Sequence, residues 1–178
     1  RAVLWHKERL INLAVQRLPA NWQYVMWIDA DVQFQNPQWL EDTVLRLQYH
    51  PVVQMFSFAQ DLDQNYSPIG KSVEGFGYAY HHGLINNSSK LKYGKYAHTG
   101  YAWAMRRDCF NQMGGLIDFA ILGAADNYMA HAIIGKAERM IDKRFHPIYN
   151  QKILNWEADC ERYIHRRLGY VPGMLTHA

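Results

Sequence analysis

The stretch YVMWIDADV, residues Tyr24–Val32, decides which fold the sequence predicts. Its first five residues are all apolar or aromatic, which is typical of a short strand buried on both faces inside a parallel sheet. Asp29 and Asp31 follow at once, where the predicted strand leaves the sheet. Because ligands of open α/β sheets bind at the carboxyl ends of the strands, the two acids are expected where chemistry takes place.

The paired carboxylates of Asp29 and Asp31 favour a site for a hard divalent cation. Both can approach one ion if the chain turns at Asp29. Water and substrate phosphates complete the coordination shell of Mg²⁺ or Mn²⁺ in many phosphate-handling sites. The alternative is that the two acids only bond nearby backbone N–H groups in a turn or at a helix start. The buried strand before them favours the cation site.

Composition predicts a globular chain and argues against several functional classes. The chain has 178 residues, of which 49% are hydrophobic, so one domain with a sizeable core is expected. A net charge of +3, without a basic stripe on a helix, gives no reason to expect a nucleic-acid partner. No apolar run is long enough to span a bilayer and no signal peptide is visible, so a cytoplasmic location is expected. Cys109 and Cys160 are expected to be buried, reduced thiols.

The spacing of apolar residues predicts alternating helices and strands. Helices are predicted over residues 2–18, 37–50, 108–113, 126–134 and 149–168, and further strands over 52–58, 98–105 and 170–177. An irregular stretch, 59–97, lies between them. The alternation favours right-handed crossovers and a mainly parallel sheet. Since a helix precedes the first strand, the chain is expected to be truncated at its N-terminus, and truncation at its C-terminus is left open.

Four features resemble, in their order along the chain, a known enzyme family. They are KERLIN at 7–12, WIDAD at 27–31, Gly114-Gly115 followed by GAAD at 123–126, and His177. Together they look like the metal-dependent, nucleotide-sugar glycosyltransferases of the GT-A fold, over nearly the whole chain. The resemblance implies a single catalytic domain over 1–178, with a three-layer α/β/α fold whose mainly parallel sheet has helices on both faces.

The resemblance also implies an activity and the roles of several residues. The implied enzyme is a hexosyltransferase that moves a sugar from a nucleoside-diphosphate sugar to a hydroxyl of a carbohydrate, lipid or protein acceptor. Asp29, Asp31 and His177 are the implied ligands of Mn²⁺ or Mg²⁺, which neutralises the departing diphosphate. Asp126 is the implied general base, which favours inversion at the sugar carbon. The further implied contacts are Lys7 and Asn12 for the nucleotide or metal loop, and His98, Gly100, Tyr101, Trp103 and Gly115 for the substrate.

Structural explanations exist for several of these residues. Asp126 could be the N-cap of its helix, His177 a solvated tail residue, Trp103 a core residue and Lys7 a solvated helix residue. The chain also departs from related galactosyltransferase-like members, because Ala125 stands where they place an acid.

Other functions remain open at this point. Two alternative enzymes are a haloacid-dehalogenase-type phosphatase, which also places Asp-x-Asp after a strand, and a nucleotidyltransferase. A non-catalytic domain that binds a sugar or a protein partner is the alternative from another class.

Overall fold

The computed structural model of the chain describes residues 4–85 and 97–178, which form short helices and short strands. Its α-helices are α1 (Lys7–Val15), α2 (Trp39–Leu47), α3 (Phe76–His81), α4 (Arg107–Gln112), α5 (Ala125–Ile133) and α6 (Pro147–Tyr163). Its strands are β1 (Tyr24–Ile28), β2 (Val32–Phe34), β3 (Val52–Gln54), β4 (Phe58–Asp61), β5 (Val73–Glu74), β6 (Ala102–Arg106), β7 (Leu168–Tyr170) and β8 (Met174–His177). A 3₁₀-helix covers Ala137–Met140. Among the described helices, none combines the length and the apolar character needed to cross a membrane.

The chain forms two compact units. The first unit contains Arg1–Val25 and Arg106–Arg167, and the second contains Met26–Met105 and Leu168–Ala178. Each unit has fully buried apolar side chains of its own, such as Ile153 in the first and Phe56 in the second. Cys109 and Cys160, both in the first unit, are buried and form no disulfide, as expected. The single catalytic domain over 1–178 stays a prediction.

The described strands form two mixed four-stranded sheets, so the predicted three-layer GT-A sheet with mainly parallel strands is wrong. The first sheet has the order β1-β6-β3-β7, with β3 antiparallel to β6 and parallel to β7. The second has the order β2-β8-β4-β5, in which only β4 and β8 are parallel. Antiparallel pairing is therefore prominent in both sheets.

Residues 52–58 show the physical reason for this difference. The apolar run there was predicted to be one strand, but it contains β3 and the start of β4, which belong to different sheets. The N–H groups of Ser57 and Phe58 both donate to the carbonyl of Gly173, at 2.9 and 3.2 Å, where the chain changes sheet. An apolar run indicates that a segment is buried, but it does not indicate the direction of its neighbours.

Strand β1 is also less buried than predicted. Of its five residues only Val25 is buried, and Ile28 is 38% exposed. Among the described strands, β1 is the terminal one of its sheet and has β6 as its one neighbour. The apolar residues that precede the two acids therefore form an edge strand.

The second sheet brings distant parts of the chain together. Strand β8 lies between β2 and β4, so His177 is opposite Val32 on one side and opposite Asp61 on the other. The N–H of Ala178 donates to the carbonyl of Asp31 at 3.1 Å. The ends of three strands thus meet directly after the Asp-x-Asp segment.

Candidate functional site

His177 lies between two carboxylates in the second unit. Its Nε2 atom is 3.4 Å from Oδ2 of Asp31, and its Nδ1 atom is 3.1 Å from Oδ1 of Asp61. The pairing of β8 with β2 and β4 produces this arrangement, because it fixes the backbone of His177 between the two acids. His177 is therefore an ordered strand residue and not part of a solvated tail.

Tyr101 packs directly against this group. Its ring stacks on the His177 ring at a centroid distance of 4.8 Å and on the His98 ring at 3.8 Å. Its hydroxyl donates a 2.8 Å hydrogen bond to Oδ1 of Asp61, and its carbonyl accepts one of 2.9 Å from the N–H of Asp29. Its φ of 71° is unusual for a bulky residue and costs about 1–3 kcal/mol, so these contacts must hold it in place.

The negative charges of three carboxylates act on the Tyr101 hydroxyl. Burial is the largest cause that raises the pKa of Tyr101, followed by its hydrogen bond to Asp61 and by the negative charges of Asp61, Asp31 and Asp29. Tyr101 therefore remains a hydrogen-bond donor at neutral pH. Negative charge concentrated in this way attracts cations.

The geometry of Asp31 and His177 fits a cation that takes its other ligands from water and substrate. Among residues 4–85 and 97–178, no three His, Cys, Asp or Glu side chains form a complete metal-binding group. However, neighbouring ligands at about 2.1 Å from an octahedral Mg²⁺ lie about 3 Å apart. The 3.4 Å between Nε2 of His177 and Oδ2 of Asp31 is close to that spacing.

The protonation of His177 strengthens this argument. If Nδ1 carries the proton and donates a hydrogen bond to Asp61, Nε2 presents a lone pair to an oxygen of Asp31. Two acceptors that face each other need a cation between them or a second proton on the ring. The arrangement can therefore hold a divalent cation or form a charged histidine–carboxylate pair.

The other residues expected to flank the sugar divide into two groups. His98 and Gly100 border Tyr101, and the N–H of Gly100 donates to Nδ1 of His98 at 3.1 Å. Trp103 is only 4% exposed, and its indole N–H donates to the carbonyl of Thr99 at 2.8 Å. The burial of Trp103 supports its core role, whereas sugar contacts by His98, Gly100 and Tyr101 stay predictions.

Asn12 and Gly115, both in the first unit, have a structural role together. The side chain of Asn12 donates to the carbonyl of Leu116 and accepts from its N–H, both at 2.9 Å. Gly115 has a φ of +89°, and a Cβ atom there would lie 2.7 Å from Oδ1 of Asn12. Trp156 also donates to the carbonyl of Gly115 at 3.2 Å. Only glycine fits this turn, and a substrate role for Asn12 or Gly115 stays a prediction.

Asp126 lies in the first turn of α5 but does not cap it. Ala124 holds the N-cap position, with a φ of 64°. The alternative that Asp126 is the N-cap is therefore not what the structure has. Asp126 therefore lies at the positive end of the α5 dipole.

Glu8 is a buried carboxyl close to Asp126 that the sequence did not single out. It is 6% exposed, and burial is the main cause that raises its pKa; the charge of Asp126 raises it further, while Lys7 lowers it. Lys7 begins α1, and its role at a nucleotide stays a prediction. A signal for Glu8 was available, because it lies one helical turn before Asn12 on the same face of α1.

Asp61 is the other functional candidate that sequence reasoning missed. It was placed in the irregular stretch 59–97, of which residues 86–96 lie outside the described part of the chain. The signal was an acid close to the end of an apolar segment, since Asp61 follows Ala59 by two residues much as Asp31 follows the end of β1 by three. Only the pairing of β4 with β8 shows that Asp61 reaches His177.

Comparison of the chain with models of protein families, with curated proteins and with solved structures finds no match. The basis for a function is therefore the chemistry of the residues themselves.

Proposed function

We propose that the chain is a metal-dependent glycosyltransferase that moves a hexose-type sugar from a nucleoside-diphosphate sugar to an acceptor hydroxyl. The supporting observation is the 3.4 Å separation between Nε2 of His177 and Oδ2 of Asp31. These two side chains would hold Mn²⁺ or Mg²⁺, and Asp29 is the third predicted ligand. The cation, when bound, neutralises the charge that develops on the departing diphosphate.

Asp61 and Tyr101 position His177 in this proposal. In this proposal the Nδ1–H of His177 donates a hydrogen bond to Asp61, which keeps Nε2 directed at Asp31 as a lone-pair donor. Tyr101 holds the Asp61 carboxylate through its hydroxyl and covers one face of the His177 ring. Neither residue needs to touch the sugar for this role.

Asp126 is the proposed general base. In an inverting transfer it accepts the proton of the acceptor hydroxyl, whose oxygen attacks the sugar carbon from the face opposite the diphosphate. Asp126 lies in the first turn of α5, at the positive end of the helix dipole. A carbohydrate, lipid or protein acceptor and a cytoplasmic location belong to the same proposal.

An assay of nucleoside-diphosphate release from a panel of nucleotide sugars tests the function. We expect release with at least one donor in the presence of Mn²⁺, and loss of release with EDTA or in Asp31→Asn. Glu41→Gln removes one exposed carboxylate from α2 in the same unit and should leave release unchanged. No release with any donor at saturating Mn²⁺ would contradict the proposal. In parallel assays, release of inorganic phosphate from a sugar phosphate would instead indicate the phosphatase, and release of pyrophosphate from a nucleoside triphosphate and a sugar phosphate would indicate the nucleotidyltransferase.

Asp126→Asn tests the base separately from the donor site. We expect this variant to bind a nucleoside diphosphate with Mn²⁺ as the wild type does, but to lose transfer to the acceptor. Equal loss of binding and transfer would contradict the base assignment. The metal site would then still be tested by Asp31→Asn alone.

A further inference from the structure

An open cleft in the first unit has the size of a small-molecule site. Its volume is about 530 Å³, within the range of about 300–1,000 Å³ that is usual for ligand pockets. The end of α1, the turn that follows it and one face of α4 form its walls. We call it the Arg107 cleft and define it by the side chains that could contact a ligand, which are Val15, Gln16, Trp22, Arg107, Phe110 and Asn111.

Among the described residues that line the cleft, Arg107 is the only charged one. Its Nη1 donates to the carbonyls of Ala20 and Trp22, at 2.5 and 3.3 Å, and its guanidinium lies 5.4 Å from the centre of the Trp22 ring. Within the described residues, no carboxylate forms an ion pair with Arg107. The guanidinium is therefore held in one orientation, and no described carboxylate neutralises its charge, which favours an anionic ligand.

The rest of the cleft favours a ligand with an apolar body. Phe110 and Val15 are buried apolar residues, and the Trp22 and Phe110 rings meet edge to face with centroids 6.1 Å apart. The amide groups of Gln16 and Asn111 are exposed at the cleft and can bond polar atoms of the same ligand. Pockets with an apolar lining and a few polar groups in fixed positions are typical of small-molecule sites.

We propose that the Arg107 cleft binds a small organic anion, with a carboxylate or phosphate group against Arg107 and an apolar body against Phe110 and Val15. Asn12 and Gly115, which the family resemblance implies for the glycosyltransferase, also line the cleft. The proposal does not rest on that activity, because Asn12 is bonded to Leu116 and the charge that would hold the anion belongs to Arg107.

Calorimetric titration of the intact chain tests the proposal with phenylacetate, phenyl phosphate and the neutral analogue phenylacetamide. We expect at least one anion to bind about tenfold or more tightly than phenylacetamide, because only the anions can pair with Arg107. The tighter of the two anions identifies the ligand group as a carboxylate or a phosphate. The proposal would be overturned if neither anion bound. It would also be overturned if neither anion bound more tightly than phenylacetamide.

Asn111→Asp provides a variant that leaves Arg107 and its backbone contacts in place. Residue 111 lies four positions after Arg107 on α4, so the new carboxylate can pair with the guanidinium and compete with the ligand. We expect the affinity for the preferred anion to fall about tenfold or more. Gln112→Asp adds the same charge to α4 outside the cleft and should have a much smaller effect. Equal weakening by both variants, or by neither, would overturn the assignment to Arg107.

Discussion

The hydroxyl of Tyr101 donates a 2.8 Å hydrogen bond to Oδ1 of Asp61, the same oxygen that lies 3.1 Å from Nδ1 of His177. Asp61 thus receives two donors when the Nδ1 proton of His177 is in place. A carboxylate that accepts from a histidine fixes the tautomer and the orientation of the ring, and it makes the opposite nitrogen a better ligand. The orientation of His177 therefore depends on a residue outside the Asp-x-Asp segment.

Asp61→Asn should weaken cation binding without removing a predicted ligand. The amide can still accept a hydrogen bond, but it lacks the charge that favours a proton on Nδ1 of His177. We expect the affinity for Mn²⁺ in the presence of a nucleoside diphosphate to fall about 10–100-fold, measured by calorimetry. Asp63→Asn is a matched control, because the Asp63 carboxylate accepts hydrogen bonds from the N–H groups of Asn65 and Ser67 in its own turn. Wild-type affinity in Asp61→Asn would argue against this role.

Gly115→Ala should destabilise the first unit more than Gly114→Ala. Both glycines have a positive φ, +89° and +69°, so each substitution introduces backbone strain. Only at Gly115 would the added Cβ meet another atom, Oδ1 of Asn12 at 2.7 Å, whereas Gly114 has nothing within 4 Å. We expect the free energy of unfolding of Gly115→Ala to be lower than that of Gly114→Ala by about 1–3 kcal/mol, measured by urea denaturation. Equal values would show that the turn can move away from Asn12.

The burial of Glu8 should make stability depend on pH. Burial and the charge of Asp126 raise the folded-state pKa of Glu8 above its ordinary value of 4.5, so the folded protein holds this proton more tightly than the unfolded chain does. The contribution of Glu8 to stability is therefore fully present below pH 4.5 and falls as the pH rises through the raised value.

Glu8→Gln removes this ionisation and keeps the shape of the side chain. We compare the melting temperature of Glu8→Gln with that of the wild type at pH 7 and at pH 4. The variant should gain more over the wild type at pH 7, by about 2–4 °C for each kcal/mol of difference in the free energy of unfolding. Glu41→Gln, at an exposed site in α2, should show no comparable gain at pH 7. If the difference in melting temperature between Glu8→Gln and the wild type were the same at both pH values, it would contradict the raised pKa of Glu8.

Two of the helices could be predicted from the sequence to within one residue, but α3 lies in the stretch that was predicted to be irregular, and α6 ends at Tyr163 instead of residue 168. The helices predicted over 108–113 and 126–134 are α4 and α5, each displaced by one residue at its start. Helical periodicity depends on residues three and four apart, so the local sequence contains most of the information. The first helix is shorter than the predicted 2–18, because α1 begins at Lys7 and ends at Val15, while residues 1–3 lie outside the described part of the chain.

The sheets could not be predicted, because strand pairing connects distant segments. The final segment, 170–177, was predicted as one strand, but its end is β8 and its beginning belongs to β7 in the other sheet. Sequence reasoning nevertheless placed His177 with Asp31, and the structure brings these two side chains together. Asp61 and the stacking of Tyr101 on His177 were missed, since both depend on the pairing of β8 with β4.

A Mn²⁺ titration in the presence of a nucleoside diphosphate tests the cation site most directly, and electron paramagnetic resonance can follow the free ion. Asp31→Asn and His177→Ala should each lower the Mn²⁺ affinity about tenfold or more, because each removes one of the two side chains that face each other across 3.4 Å. His6→Ala, which removes an exposed imidazole without a capping bond, should match the wild type. Unchanged Mn²⁺ affinity in His177→Ala would show that His177 and Asp31 form only a histidine–carboxylate pair, and it would contradict the proposed metal site.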